Sequence, residues 1–273
     1  MLTFPNAKIN LGLNIVSRRP DGYHNIETVF YPIPLTDSLE IVPAEGSEST
    51  LTCYGRVVDC PTEKNLVMKA YRMMEKEFGL PPVDIYLVKH IPDGAGLGGG
   101  SSDASFCMKM LNDMFKLGCT AEQLAKMASK IGADCPFFIH NKPMMATGIG
   151  DEFTPTDVCL KGKHLLLVKP DVSVPTKAAY AQVTPAPSAK PIPEILSDGM
   201  ENWQKELVND FEKSVFAQYP SLAEIKRTLL NSGATYAAMS GSGSSIFGIF
   251  SCAEMAEKAA DNFKEYSHFV IQL

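Results

Sequence analysis

The sequence predicts a mixed α/β (α+β) fold in two parts, and three observations support this prediction. Apolar residues recur at every second position in several segments, which is typical of strands. Other segments repeat their apolar residues every three or four positions, which is typical of amphipathic helices. The last third reads as helix, strand, turn, strand, helix and strand. With one strand before it, this order predicts a ferredoxin-like α/β sandwich.

The elements of the first part follow in order from these periods. Residues 7–16 alternate between apolar and polar side chains, which predicts a half-buried strand. A Pro-Asp-Gly turn and two more strands come next. Residues 65–78 predict a helix that Asn65 caps and Gly79 ends. A strand over 83–92 then leads into a glycine-rich run, and a helical stripe follows it.

Two further helices carry capping signals. Thr120 and Gln123 have the spacing of a capping box, and Gly132 is the expected end of that helix. Ser221 and Glu224 have the same spacing before a predicted helix within the last third. Each pair predicts that its helix begins directly after the Ser or Thr.

The chain shows one candidate domain boundary. The segment GIGDEFTPTD near residue 150 is loop-like, and a new strand follows it, so we expect domains over 1–152 and 153–273. Residues 184–193 contain four prolines and predict an irregular excursion. Strands at 234–239 and 246–250 enclose a Gly-Ser loop, which alone would be an ordinary hairpin turn.

The composition excludes several classes of protein. The chain has 273 residues, of which 45% are hydrophobic, and its net charge of −6 argues against a broad nucleic-acid-binding surface. Seven cysteines without a CxxC pair argue against a disulfide framework or a zinc site and favour the cytoplasm. We expect no signal peptide and no membrane span, because no apolar run approaches about 18 residues.

The segment IPDGAGLGGGSSDAS (91–105) is the most unusual stretch of the sequence. It holds five glycines and lies between a predicted strand and a predicted helix start. Unpaired N–H groups at a helix N-terminus attract anions, and glycines let a ligand approach the backbone closely. A flexible linker is the alternative, but both flanks are strongly patterned. The run therefore predicts a phosphate-binding loop.

Three well-known glycine loops fit poorly. A Walker A motif needs a lysine where this chain has Gly100. A dinucleotide fold would place the loop at its first strand-to-helix turn, whereas strands and turns dominate the preceding 90 residues. A protein-kinase glycine loop joins two strands, whereas this one opens a helix.

Three motifs together resemble the GHMP small-molecule kinase superfamily. They are AKINLGLNI near the start, PDGAGLGGGSSDAS in the middle and MSGSGSSIFGIF at 239–250, in the order and spacing of that superfamily. The segments PDGYHNIETVF and GADCPFF are similar to the members that phosphorylate a cytidine-diphosphate-bearing methylerythritol for isoprenoid precursors. The resemblance implies a GHMP kinase fold, with a ribosomal-protein-S5-domain-2-like N-terminal domain that binds ATP and a ferredoxin-like C-terminal domain.

The resemblance implies an ATP site on the glycine run. The expected contacts are Pro92, Gly94, Gly96, Leu97, Gly98, Gly99, Gly100, Ser101 and Ser102. Asn65 and Leu66 are expected to border the adenine. Mg²⁺ is the implied cofactor beside ATP, with Ser102 as its candidate ligand and Asp103 as a weaker one.

Lys8 and Asp134 are the catalytic candidates. Lys8 lies on the polar face of the first strand, where it is either an exposed strand lysine or a charge for phosphate and hydroxyl. Asp134 precedes Cys135-Pro136, where an aspartate is usually a local cap. The resemblance places Asp134 at the catalytic aspartate, which accepts or orients the proton of the acceptor hydroxyl.

The resemblance also implies a pocket for a small molecule with a cytidine diphosphate group. Tyr23 and His24 offer an aromatic face and an imidazole to a pyrimidine, and Tyr180 is expected to close the other face of the base. The remaining expected contacts are Asn10, Thr176, Ser240, Gly241 and Ser242.

Three alternatives stay open at this point. One is a GHMP kinase of homoserine or mevalonate type, although neither substrate has a base to stack on Tyr23 and His24. A second is a nucleotide-binding homologue without catalysis. A third is RNA binding through an S5-like fold, which fits poorly with the net charge. We expect no nucleic-acid or membrane partner, and the chain is either a monomer or a weak homodimer.

Overall fold

The computed structural model describes residues 1–56 and 60–273, which contain twelve strands and ten α-helices. The strands are β1 Leu2–Thr3, β2 Asn6–Arg18, β3 His24–Thr36, β4 Ser38–Pro43, β5 Thr50–Gly55, β6 Val83–Lys89, β7 Met144–Thr147, β8 Glu152–Pro155, β9 His164–Lys169, β10 Tyr236–Met239, β11 Ile246–Phe250 and β12 Ser267–Gln272. The helices are α1 Leu66–Phe78, α2 Gly99–Met114, α3 Ala121–Ala128, α4 Cys135–His140, α5 Thr176–Ala181, α6 Ile192–Ser197, α7 Met200–Glu206, α8 Phe211–Gln218, α9 Pro220–Asn231 and α10 Ala253–Ala260.

These elements form two compact units, each assembled from three segments of the chain. The first unit comprises Met1–Ala7, Leu35–Asp93 and Gly98–Lys142. The second unit comprises Lys8–Pro34, Gly94–Leu97 and Pro143–Leu273. The glycine-rich run is thus divided, because residues 94–97 belong to the second unit and the residues after them to the first.

The first unit packs helices on one face of a four-stranded sheet with the order β1-β4-β6-β5. Strand β6 alternates strictly between buried and half-buried residues, as its period of two predicts. Its buried side chains share a core with the apolar stripes of α1 and α2. The predicted caps of α1 are confirmed, since Asn65 accepts a hydrogen bond from the Val67 N–H and Gly79 is left-handed.

The second unit contains the predicted ferredoxin-like sheet. Its order is β10-β11-β9-β12, and all pairs are antiparallel. The chain runs from β9 through several helices to α9, then β10, β11, α10 and β12. Helices α9 and α10 bury their apolar stripes in the core of this sheet. A second sheet, with the order β2-β3-β7-β8, contains the long strand β2.

Several local predictions need correction. Strand β2 is buried on both faces from Asn6 to Ile15, not half-buried, because other segments of the chain cover its polar side. The loop-like stretch near residue 150 instead contains the turn of the β7–β8 hairpin and strand β8 itself. The proline-rich stretch is irregular only at first, because α6 begins at Ile192 within it.

Some predicted helix boundaries are confirmed and others are wrong. The capping box at Thr120 and Gln123 is confirmed, but α3 ends at Ala128, several residues before Gly132. The capping box at Ser221 and Glu224 is wrong, because Pro220 already occupies the first turn of α9. In the described part of the chain, no helix combines the length and the apolar character that a membrane span requires.

Candidate active site

Lys8 and Asn10 form the polar centre of β2. Both side chains are almost fully buried, which rules out the exposed-lysine alternative. The Lys8 Nζ lies 2.7 Å from the Asn10 Oδ1 and 4.6 Å from the centre of the Phe30 ring. Asn10 is oriented in turn, because its Nδ2 donates to the Thr28 Oγ1 at 2.9 Å. The side-chain ammonium is therefore held in one place, as a fixed charge for an anionic ligand must be.

The turn between β10 and β11 lies against the middle of the glycine run. The Ser240 Oγ donates to the Gly96 carbonyl at 2.8 Å and lies 3.4 Å from the Asn10 Oδ1. The Lys8 N–H donates to the Leu97 carbonyl at 2.9 Å. Lys8, Asn10, Ser240 and Gly96, all predicted site residues, thus meet within the second unit.

Gly96 has no room for a side chain. Its φ is +76°, and a Cβ there would lie 2.0 Å from the Ser240 carbonyl oxygen. By contrast, Gly94 also has a positive φ but has open space around it. The glycine at position 96 is therefore needed for the close approach of two backbone segments as well as for its own conformation.

The predicted pyrimidine contacts are also close together. The His24 and Tyr180 rings stack on each other, with centres 4.9 Å apart and planes 18° apart. Tyr180 in turn makes an edge contact with Phe211. A base between His24 and Tyr180 would need a spacing of about 7 Å, twice the contact distance of carbon atoms. The two rings must therefore separate to hold a base between them.

The remaining predicted acceptor contacts of the second unit are Tyr23, Thr176, Gly241 and Ser242. Tyr23 is 61% exposed, and its N–H donates to the Asp21 carboxylate at 3.1 Å. The hydroxyls of Thr176 and Ser242 are 3.1 Å apart. Gly241 has a positive φ of 56° within the β10–β11 turn.

In the first unit, the end of the glycine run becomes the start of α2. Gly98 is left-handed, and its carbonyl accepts the first helical hydrogen bond from the Ser102 N–H at 2.9 Å. Ser101 and Ser102 follow in the first turn, and the Ser102 Oγ is buried without a hydrogen-bond partner among the described residues. An orphaned hydroxyl beside unpaired N–H groups is suited to phosphate oxygens or to a cation bound to them.

Asn65 and Leu66 line a cavity of about 150 Å³ together with Gly100, Lys89 and Asp103. The cavity thus joins the start of α1 to the start of α2, as the predicted adenine contacts require. Pro92 is buried directly after β6 and before the glycines. The first unit therefore brings the predicted base contacts and the predicted phosphate contacts to neighbouring positions.

An ion cluster in this unit was not predicted from the sequence. The Lys89 Nζ contacts the Asp37 carboxylate and lies 2.7 Å from the Asp103 Oδ2, and all three side chains are buried. Burial raises the pKa of Asp103 to about 7. Burial alone would lower the pKa of Lys89, but the two carboxylates outweigh it and raise that pKa. The sequence contains one indication of this cluster, because Lys89 occupies a position on the buried face of β6, where a lysine needs a counter-ion.

Asp134 lies half-buried in the first unit, directly before α4. Its side chain makes no capping hydrogen bond to that helix, so Asp134 is not a local side-chain cap. The helix begins with Cys135 and Pro136, and the fixed φ of the proline suits a first turn.

No group of three or more His, Cys, Asp or Glu side chains in residues 1–56 and 60–273 has the arrangement of a metal site.

Comparisons with known proteins agree with the motifs. The model of the GHMP kinases N terminal domain matches residues 65–142, and that of the GHMP kinases C terminal domain matches residues 189–268. The 4-diphosphocytidyl-2-C-methyl-D-erythritol kinase of Bacteroides fragilis is 56% identical over 260 residues, which are 94% of this chain and 95% of the relative.

Solved structures give the same picture. A crystal structure of 4-(cytidine 5'-diphospho)-2C-methyl-D-erythritol kinase is 31% identical with a TM-score of 0.85, covering 99% of this chain and 98% of the other. The mevalonate kinase of Methanococcus jannaschii is 14% identical with a TM-score of 0.74, covering 100% of this chain and 98% of the other, and shares the fold alone. The predicted GHMP kinase fold is confirmed, and the chain belongs to the 4-diphosphocytidyl-2-C-methyl-D-erythritol kinase family of GHMP kinases.

Proposed function

We propose that the chain transfers the γ-phosphoryl group of ATP to a hydroxyl of 4-diphosphocytidyl-2-C-methyl-D-erythritol, a step in isoprenoid precursor synthesis. The observation that carries this proposal is the 56% identity to a kinase of that name along almost the whole chain. The buried Lys8–Asn10 pair and the glycine loop at the start of α2 supply the chemistry that phosphoryl transfer needs, which is positioning and charge neutralisation.

The residue roles follow the resemblance, and the local geometry supports them. The start of α2, from Gly98 to Ser102, receives the phosphates of ATP, and Asn65 and Leu66 border its adenine. Lys8 balances the negative charge that develops during transfer. Asp134 orients the acceptor hydroxyl and accepts its proton.

The acceptor is held by groups of the second unit. The cytosine binds between His24 and Tyr180 once their stacked rings have separated, and Tyr23 contacts it as well. Asn10 and Thr176 contact the acceptor together with the turn residues Ser240, Gly241 and Ser242.

Mg²⁺ is the proposed cofactor, and the donors at the start of α2 fit it. Mg²⁺ prefers oxygen ligands and usually takes one or two from the protein and the rest from phosphates and water. Ser102 has an orphaned buried hydroxyl, and Asp103 has one carboxylate oxygen without a partner among the described residues. When bound, the ion neutralises phosphate charge.

The wider setting of the enzyme is proposed on the same grounds. All seven cysteines are free, which supports a cytoplasmic location. The acidic balance supports a small-molecule substrate without a nucleic-acid partner, and we expect a monomer or a weak homodimer. ATP contacts are assigned mainly to a domain over 1–152 and acceptor contacts mainly to one over 153–273, with Asn10, Tyr23 and His24 as the exceptions.

The test measures ADP release from ATP and Mg²⁺ with three acceptors, namely the cytidine-bearing substrate, homoserine and mevalonate. We expect turnover with the first alone. Asp134→Asn should lower kcat by about 10²- to 10⁴-fold, the usual contribution of a general base, and leave ATP binding intact. Asp113→Asn, at an exposed position of α2, is the control. Turnover on another acceptor, or a near-normal kcat of Asp134→Asn, would contradict the respective assignment.

A further inference from the structure

We propose that Asn209 is a positioning residue of the acceptor site, which sets the β10–β11 turn against β2. The proposal rests on the proposed function, since it concerns the turn that carries Ser240 and Gly241. Asn209 lies between α7 and α8, outside the three motifs, and its side chain is 4% exposed. Its role follows from the hydrogen bonds of residues 208–212, which we call the connector.

Both hydrogen-bond donors of the Asn209 amide point to the β10–β11 turn and its flank. Its Nδ2 donates to the Met239 carbonyl and to the Gly241 carbonyl, each at 2.8 Å. Its Oδ1 accepts from the Phe211 N–H at 3.0 Å, which orients the amide. One side chain therefore sets the spacing of two carbonyls on either side of Ser240.

A second connector residue holds the same point of the turn. Strand β10 lies at the edge of its sheet, so one side of its backbone has no neighbouring strand. The Glu212 Oε1 accepts from the Met239 N–H at 2.8 Å on that open side. Both backbone groups of Met239 are thus bonded by the connector, at the last residue before the turn.

The other side of the connector is bonded to β2. The Leu13 N–H donates to the Val208 carbonyl at 2.8 Å, and the Asp210 N–H donates to the Leu13 carbonyl at 2.8 Å. The Asp210 Oδ2 also accepts from the Ile15 N–H at 2.7 Å. The connector therefore joins the strand that carries Lys8 and Asn10 to the turn that carries Ser240.

This joint has a consequence for the predicted acceptor contacts. Ser240 reaches the Gly96 carbonyl and the side chain of Asn10 only while the turn keeps its place. A displacement of about 1 Å in a positioning group can slow catalysis by about 100-fold. Loss of the Asn209 donors should therefore weaken catalysis without removing any group that touches a substrate.

The experiment compares two variants that remove these donors. Asn209→Asp keeps the shape of the side chain and turns oxygens toward the two carbonyls. Asn209→Ser removes the amide without adding charge and carries the test should Asn209→Asp not fold. We expect kcat to fall by about 10- to 100-fold and KM for the cytidine-bearing acceptor to rise, with KM for ATP unchanged.

The matched control is Gln204→Met. Gln204 makes a hydrogen bond on the same edge strand, since its Oε1 accepts from the Ala237 N–H at 2.8 Å, but this bond lies within β10 rather than at the residue before the turn. We expect Gln204→Met to lower the melting temperature while kcat and both KM values stay at the wild-type level. An equal loss of kcat in Gln204→Met would show a general effect of stability and would overturn the proposal.

Hydrogen–deuterium exchange supplies a readout that does not depend on activity. The amides of residues 239–245 should exchange faster in Asn209→Ser than in wild type, whereas those of β12 should not change. Unchanged exchange in the turn, or faster exchange with unchanged kinetics, would overturn the positioning role. If the wild-type chain shows no turnover of the acceptor, the proposed function fails, and the exchange result still tests whether Asn209 holds the turn.

Discussion

Lys89, Asp37 and Asp103 form a buried cluster with one cation and two carboxylates. Asp37 also accepts hydrogen bonds from the N–H groups of His90 and Ile91, at 2.6 and 2.8 Å, so its charge is well satisfied. Lys89 lies at the end of β6, before the glycine run, and Asp103 lies in the first turns of α2, after it. The cluster therefore links both flanks of the proposed phosphate loop within the first unit.

Lys89→Met should destabilise the chain strongly. The substitution leaves two buried carboxylates without their cation, and breaking a buried ion pair in this way costs about 3–5 kcal/mol. The free energy of unfolding in urea, without nucleotide, measures the effect. Lys69→Met, at an exposed position of α1, is the control and should change it by less than about 0.5 kcal/mol. Equal values for the two variants would mean that the cluster contributes nothing.

The buried lysines Lys8 and Lys89 show how far the burial of a single charged residue can be predicted from the sequence. Lys8 can be recognised from the motif in which it lies, but its burial cannot be predicted, since alternation places it on a polar face. Lys89 continues an apolar face, yet its counter-ions lie 52 and 14 residues away in the chain. A buried charge can be recognised only with its partners, and such partners are set by the fold.

At the scale of elements, the glycine run is two structures rather than one. Its middle, residues 94–97, is bonded to β2 and to the β10–β11 turn, while its end starts α2. The glycines therefore serve different purposes. Gly96 permits the contact with Ser240, and Gly98 supplies the left-handed residue before the helix.

Gly96→Ala should displace the β10–β11 turn, because the new Cβ would meet the Ser240 carbonyl oxygen at 2.0 Å. We expect a loss of at least about 2 kcal/mol in the free energy of unfolding, from overpacking added to backbone strain. Urea unfolding and kcat measure the result. Gly94→Ala is the matched control, since its φ is also positive but its surroundings are open, so it should lose only about 1 kcal/mol. The contact has no role if both variants behave alike.

Elements with strong local signals were predictable. Helix α1, with its amphipathic stripe and two caps, and β6, with its strict alternation, match the sequence. The missed elements are short and depend on other parts of the chain. The strands of the β7–β8 hairpin have four residues each, and β7 pairs with β3, more than a hundred residues earlier. At α9, Pro220 took precedence over the capping box one residue later.

At the scale of the whole molecule, the fold class and the family were predictable, but the course of the chain was not. The order of elements in the last third was enough for the ferredoxin-like sheet, because a helix, a two-stranded hairpin, a helix and a strand follow one another in the order of that fold, although β9 is far in sequence from both of its neighbours, β11 and β12. The expected boundary at 152 and 153 remains a prediction for the functional domains. The compact units are instead interleaved, because β2 and β3 belong mainly to the second unit. No local pattern records such long-range pairing.

The proposed division of labour between the units predicts that substitutions in each will affect a different substrate. His24→Ala, in the second unit, removes one aromatic face of the proposed cytosine pocket and should raise KM for the acceptor about 10-fold, in line with the strength of base stacking. Gly98→Val, in the first unit, strains the left-handed residue before α2 and should raise KM for ATP by about 10-fold or more. Steady-state kinetics with each substrate varied in turn measures both values.

Two control variants separate these effects from a general loss of stability. Gly118→Val introduces the same strain at a left-handed glycine with open surroundings, and His268→Ala removes an imidazole that bonds only to backbone carbonyls among the described residues. Neither should change either KM, because neither position is assigned to a substrate. A rise in KM for ATP from His24→Ala would instead mean that the two subsites have been exchanged. A normal KM for ATP in Gly98→Val would remove the start of α2 from the phosphate site.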